Sequence, residues 1–120
     1  MFYGANRTGA KVSQGMIDQF WLWSMQGGLK NLYESVKAFS ETDFQEDLKK
    51  LDVPTLIMHG EDDQIVPINI SGKRSAKLIK GAKEIFYPSL PHGLTATHPD
   101  RVNADLLEFV RSVQQTRKAA

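Results

Sequence analysis

Val53-Pro54-Thr55-Leu56-Ile57-Met58-His59-Gly60 is a short apolar run closed by a glycine, the pattern of a strand buried on both faces. Downstream, Pro67 opens a segment through Ile70, Ala76, Leu78 and Ile79 that ends at Gly81. Proline near the start and glycine past the end mark a helix. Glu84-Ile85-Phe86-Tyr87 is a second short strand, and Pro88 to Thr97 reads as loop. Pro99 begins a last helix whose apolar face is Val102, Leu106, Phe109, Val110 and Val113. Strand, helix, strand, helix in that order predicts an α/β fold with parallel strands covered by helices. The tail, 114–120, has lost its apolar face and is expected to fray.

Upstream of Asp52 the period is helical. Val12, Met16, Ile17, Phe20, Trp21 and Trp23 form one stripe, stopped by Gly27-Gly28. Leu29, Leu32, Tyr33, Val36 and Phe39 form a second, with steps of three and four. Ser40-Glu41-Thr42 is rich in N-cap residues, and Asp43 to Lys50 reads as a short third helix with its acids early and its lysines late. The aromatic stripe reads first as core packing. Two tryptophans in one helix also suit the wall of an apolar substrate pocket.

With 120 residues the chain has room for one domain. An apolar share of 41% against 24% charged is an ordinary globular balance. A net charge of +1 gives no electrostatic reason for a nucleic acid or an anionic membrane as partner. No apolar run approaches the roughly 18 residues of a membrane span. The opening Met1-Phe2-Tyr3-Gly4 carries neither an apolar signal region nor a glycine after methionine, so secretion and myristoylation are not expected and the cytoplasm is the default location. The absence of cysteine excludes disulfides, thiolate metal sites and a cysteine nucleophile.

Functional residues of open parallel sheets gather beyond the carboxyl ends of the strands. Two loops lie there: His59 to Pro67 after the first strand, and Ser89-Leu90-Pro91-His92-Gly93-Leu94 after the second. Parallel neighbours would bring both to one edge, where a carboxylate from the first could orient an imidazole from the second. An aspartate holding a histidine at Nδ1 fixes the tautomer and makes that histidine a general base. His59, at a strand end, reads as structural and hydrogen-bonded to backbone, and His98 as a helix-entry residue. A metal site built from His59, Glu61, Asp62 and Asp63 is disfavoured, because all four crowd into one loop without a distant ligand. Lys73, Arg74, Lys77, Lys80 and Lys83 read as an exposed helix face.

The stretch from Val53 to Pro67, followed by Pro91-His92-Gly93, resembles the acid and histidine ends of an α/β-hydrolase. The closer resemblance is to the cofactor-free haloperoxidases, also called non-heme chloroperoxidases or perhydrolases, and their arylesterase relatives. Phe2-Tyr3-Gly4-Ala5-Asn6-Arg7, Lys37-Ala38-Phe39-Ser40-Glu41-Thr42-Asp43-Phe44 and Gly93-Leu94-Thr95-Ala96-Thr97-His98 carry it. It covers the chain from Phe2 to about Val113, as the C-terminal half of such an enzyme. It implies lid helices over residues 1–51 and a βαβα part of the hydrolase core over 52–120. Asp63 matches the triad acid, His92 the triad base, and Phe20, Trp21 and Trp23 fall where the lid faces substrate. Metal, haem and flavin are not needed by the family. Its members cleave small esters through a serine acyl-enzyme, and with peroxide release a peracid that oxidises halide.

The nucleophile of that family sits in a Gly-x-Ser-x-Gly elbow between strand and helix. No such motif occurs here: Ser13 precedes Gln14-Gly15, but Lys11 stands where the first glycine belongs. The alternative is therefore a non-catalytic truncated domain that binds a partner or has no activity of its own. Self-association, or pairing with an N-terminal half, is expected of such a chain.

Overall fold

The computed structural model describes residues 1–119. Two helices come first, α1 (Gln14–Gln26) and α2 (Leu29–Glu41), and then a single turn, α3 (Gln45–Leu48). The Ser13 hydroxyl caps α1 by accepting from the Met16 amide at 3.2 Å. Gly28, at φ +72°, turns the chain between the two helices in a conformation that other residues rarely adopt. Ser40 and Glu41, expected to cap the third helix, instead complete the last turn of α2. Phe44 is the N-cap of α3 and offers no side-chain acceptor; the Asp43 carboxylate just before it accepts from the Gln45 amide at 2.9 Å.

Strand β1 (Leu56–Gly60) and strand β2 (Lys83–Tyr87) pair in parallel, with Leu56 opposite Lys83 and Gly60 opposite Tyr87. Between them the expected single helix is broken into a 3₁₀ turn at Ile68–Ile70 and α4 (Gly72–Leu78). At the break, the Pro67 carbonyl accepts from the Ile70 amide at 3.1 Å and from the Ser71 hydroxyl at 2.9 Å, and the Ser71 amide turns to the Ile68 carbonyl at 3.3 Å in 3₁₀ fashion. Within the expected loop after β2 lies one further helical turn, α5 (Leu94–Thr97). The last helix, α6 (Pro99–Ala119), continues through most of the tail that was expected to fray, and Ala120 lies outside the described residues. No helix among the described residues is long and apolar enough to cross a membrane.

A small core forms where β2, the loop after it, α5 and α6 meet: Tyr87, Leu90, Leu94 and Val102, with Met58 and Ile85 against them. Tyr87 is fully buried, and its hydroxyl donates to Asp105 Oδ2 at 2.7 Å. Burial, then the Asp105 carboxylate, push its phenol up to about 12. On α6 only Val102 of the expected face is fully buried, while Leu106 and Val110 are exposed.

The stripes of α1 and α2 do not pack as a core. Neither helix buries a residue, and Leu29, Phe39 and Trp21 are 87%, 72% and 63% exposed. Strand β1, expected to be buried on both faces, is only half-buried from Leu56 to His59. A hydrophobic stripe reports that a face seeks an apolar neighbour, and the described residues of this chain cover only a small part of it, at the start of α1.

Candidate active site

Because β1 and β2 are parallel and in register, the chain leaves both at the same sheet edge. Two backbone bonds then join the loops: the Glu61 amide donates to the Tyr87 carbonyl at 2.9 Å and the Asp62 amide to the Leu90 carbonyl at 3.1 Å. This approach demands glycine at the end of β1, since a Cβ on Gly60 would overlap the Leu90 carbonyl oxygen.

Asp63 lies on the first loop and is 8% exposed. Its Oδ1 accepts from the backbone amides of Ile65 at 2.9 Å and Val66 at 2.8 Å, so a tight turn holds the carboxylate. Its Oδ2 faces His92 Nδ1 at 2.7 Å. Burial is the largest influence on this acid and disfavours its charge. The Val66 amide, the His92 ring and the Ile65 amide together outweigh it and hold the carboxyl below its ordinary 3.8. The ionised group therefore accepts, and His92 presents its Nδ1–H. Nε2 remains as the basic nitrogen of a ring that is 31% exposed.

That depression has a consequence for stability. A carboxyl with a lower pKa folded than unfolded contributes its full share above the ordinary carboxylate range, and the share is lost as pH falls through the depressed value. Acidification followed by circular dichroism is expected to unfold the chain along a limb that Asp63→Asn flattens. Identical acid limbs in the two proteins would contradict the linkage.

The neighbouring acids are not in this contact. Asp62 turns to Arg7, whose Nε and Nη2 donate to it at 2.6 and 2.5 Å, and Glu61 is exposed. His59 Nε2 meets the Val66 carbonyl at 3.0 Å, and His98 Nδ1 lies 2.9 Å from the Thr97 hydroxyl at the entry to α6. Of the three aromatics read as facing substrate, one reaches the site. Phe20 stacks on Phe2 at 4.6 Å between centroids, and Phe2 meets the His92 ring edge-on at 4.8 Å. Trp21 and Trp23 are exposed and take no part in this cluster.

Phe2 and Tyr3 are the residues that sequence reasoning missed. They belong to an irregular turn tied to the histidine loop by the Gly93 amide, which donates to the Phe2 carbonyl at 2.8 Å. Periodicity says nothing about such a turn, although the same two residues open one of the family-like stretches. A cavity of about 560 Å³, lined in part by Tyr3, Arg7, Asp62, Leu90, Pro91 and His98, adjoins these loops and includes neither Asp63 nor His92.

A bifunctional esterase/perhydrolase of Acinetobacter calcoaceticus is 55% identical over 111 residues, 92% of this chain and 40% of that protein. A non-heme haloperoxidase of Rhodococcus erythropolis is 54% identical over the same shares. The crystal structure of a bromoperoxidase from Bacillus anthracis superposes with a TM-score of 0.80 at 37% identity, again over 92% of this chain and 40% of the other. The matched residues are those of an α/β-hydrolase of the non-heme haloperoxidase group. No family model matches the chain. The chain spans about 40% of the length of these curated relatives, their C-terminal part. A serine hydrolase of carbazole degradation, 21% identical with a TM-score of 0.71, shares the fold.

Proposed function

We propose that this chain supplies the acid–base half of a serine ester hydrolase with perhydrolase and haloperoxidase side activity. The observation that carries the reading is the 2.7 Å contact between Asp63 Oδ2 and His92 Nδ1 at the shared edge of two parallel strands. Support comes from relatives whose names are esterase, perhydrolase and haloperoxidase.

In this reading His92 Nε2 takes the proton of a serine hydroxyl as its oxygen attacks the ester carbonyl. Asp63 stabilises the imidazolium, which returns the proton to the departing alkoxide. Water then attacks the acyl-serine and releases a carboxylic acid, whereas hydrogen peroxide in its place releases a peracid. Residues 1–51 roof the site, with Phe20 reaching it through Phe2, and residues 52–120 form the base. The serine and the oxyanion donors come from sequence that the relatives have and this chain does not match. The chain by itself is then a non-catalytic module.

The test is complementation. The chain alone is expected to hydrolyse a p-nitrophenyl ester no faster than its His92→Ala variant. Mixed with a polypeptide comprising the residues of the Acinetobacter esterase/perhydrolase that lie outside the match, it is expected to gain activity that a serine-directed phosphonate abolishes. Phosphonate-sensitive hydrolysis by the chain alone would refute the assignment.

A further inference from the structure

A second imidazole faces the same carboxylate. His59, in the penultimate position of β1, places Nε2 3.1 Å from Asp63 Oδ2 and 3.0 Å from the Val66 carbonyl oxygen. The side chains are 14% and 3% exposed, so water does little to satisfy either. Both neighbours of Nε2 are acceptors once Asp63 is ionised. A lone pair there would face two others in a dry site, and Nε2 must carry the proton. The other side of the ring is equally constrained: a Cβ added to Gly72, at the start of α4, would lie 2.8 Å from His59 Nδ1. The ring is thus wedged between α4 and the acid turn.

We infer that His59 is a positioning residue for the Asp63–His92 pair: its Nε2–H donates to the Val66 carbonyl and so fixes the acid turn, while the same ring edge lies against Asp63 Oδ2 at 3.1 Å. The turn amides hold Oδ1 and leave Oδ2 to be placed. His92 Nδ1 at 2.7 Å and His59 Nε2 at 3.1 Å both lie against Oδ2, and the ring wedged between α4 and the turn limits how far the carboxylate can move from the general base. The inference rests on the reading of Asp63 and His92 as the acid–base pair, but its test needs no ester hydrolysis.

The experiment is NMR of the full chain with labelled histidine and aspartate, reading exchange of the His92 Nδ1–H with water and titration of the Asp63 carboxylate. His59→Leu removes the donor. It is expected to speed that exchange about tenfold and to raise the Asp63 midpoint by about half a unit, the order expected when one hydrogen bond that fixes the acid turn is lost. His59→Gln keeps an N–H donor of similar reach and is expected to restore both readouts towards wild type. Gly72→Ala leaves every hydrogen-bonding group in place but pushes the ring, and is expected to move both readouts part of the way. Wild-type readouts in a folded His59→Leu protein would overturn the inference. So would a His59→Gln variant no better than His59→Leu, which would reduce His59 to packing. Should His59→Leu fail to fold, Gly72→Ala decides, and unchanged readouts in it overturn the inference. Failure of the hydrolase reading would look different: the NMR readouts would respond as described while complementation gave no activity.

Discussion

His92→Ala is expected to lower kcat for ester hydrolysis in the complemented assembly by about 10⁵–10⁶-fold, the loss found when the base of a serine triad is removed. Asp63→Asn is expected to cost about 10⁴-fold, because an amide at that position can present its N–H to Nδ1 and select the wrong tautomer. KM should stay nearly constant in both variants. Neither group binds the ester in its ground state, and each acts only as the proton moves. The geometry makes the order of the effects meaningful. His92 meets the reacting serine directly, whereas Asp63, 2.7 Å behind it and almost buried, acts through the ring. Initial rates over a range of ester concentrations separate kcat from KM. A loss below about 10²-fold for His92→Ala, the lower end for general-base catalysis, would assign the base to another residue.

The parts of the fold legible in the sequence are those governed by local rules. The run from Val53 to Gly60 and the segment from Glu84 to Tyr87 became neighbouring parallel strands, because short apolar runs separated by a helix leave that topology as the favoured choice. That a carboxylate of the first loop meets an imidazole of the second followed from the same step, since parallel neighbours end at one edge; that the pair is Asp63 and His92 was implied by the family resemblance alone. Three features resisted sequence reading for three different reasons. The helix after Pro67 is broken at Ser71, whose backbone leaves the helical region, and hydrophobic period does not register such a break. Phe2 joined the site from an irregular turn that has no period at all. The aromatic stripe on α1 was read first as core packing and is instead largely exposed, because amphipathicity does not tell which molecule holds the other side.

That unfilled face gives the second large expectation: the purified chain self-associates, and the complementary hydrolase polypeptide displaces the self-contacts to form a one-to-one complex. Trp21, Met25, Leu29, Tyr33, Val36 and Phe39 are between 63% and 87% exposed on two adjoining helices. Burying one large side chain contributes about 1.5–3 kcal/mol, so the six together contribute about 9–18 kcal/mol, enough to offset the roughly 4–15 kcal/mol lost on association. The second driving force is the sheet: among the described residues β1 pairs only with β2, which leaves backbone donors and acceptors along its other edge. The complement is the preferred occupant because the chain matches 40% of the length of its esterase/perhydrolase relative, whose other residues lie outside the match. Size-exclusion with light scattering reads the outcome. Phe39→Asp should weaken either association by about 10²-fold, since an apolar contact is lost and a charge would have to be desolvated. A sharply melting monomer, indifferent to the complement and to Phe39→Asp, would show that these side chains are tolerated in water. The chain would then be self-sufficient rather than one side of an interface.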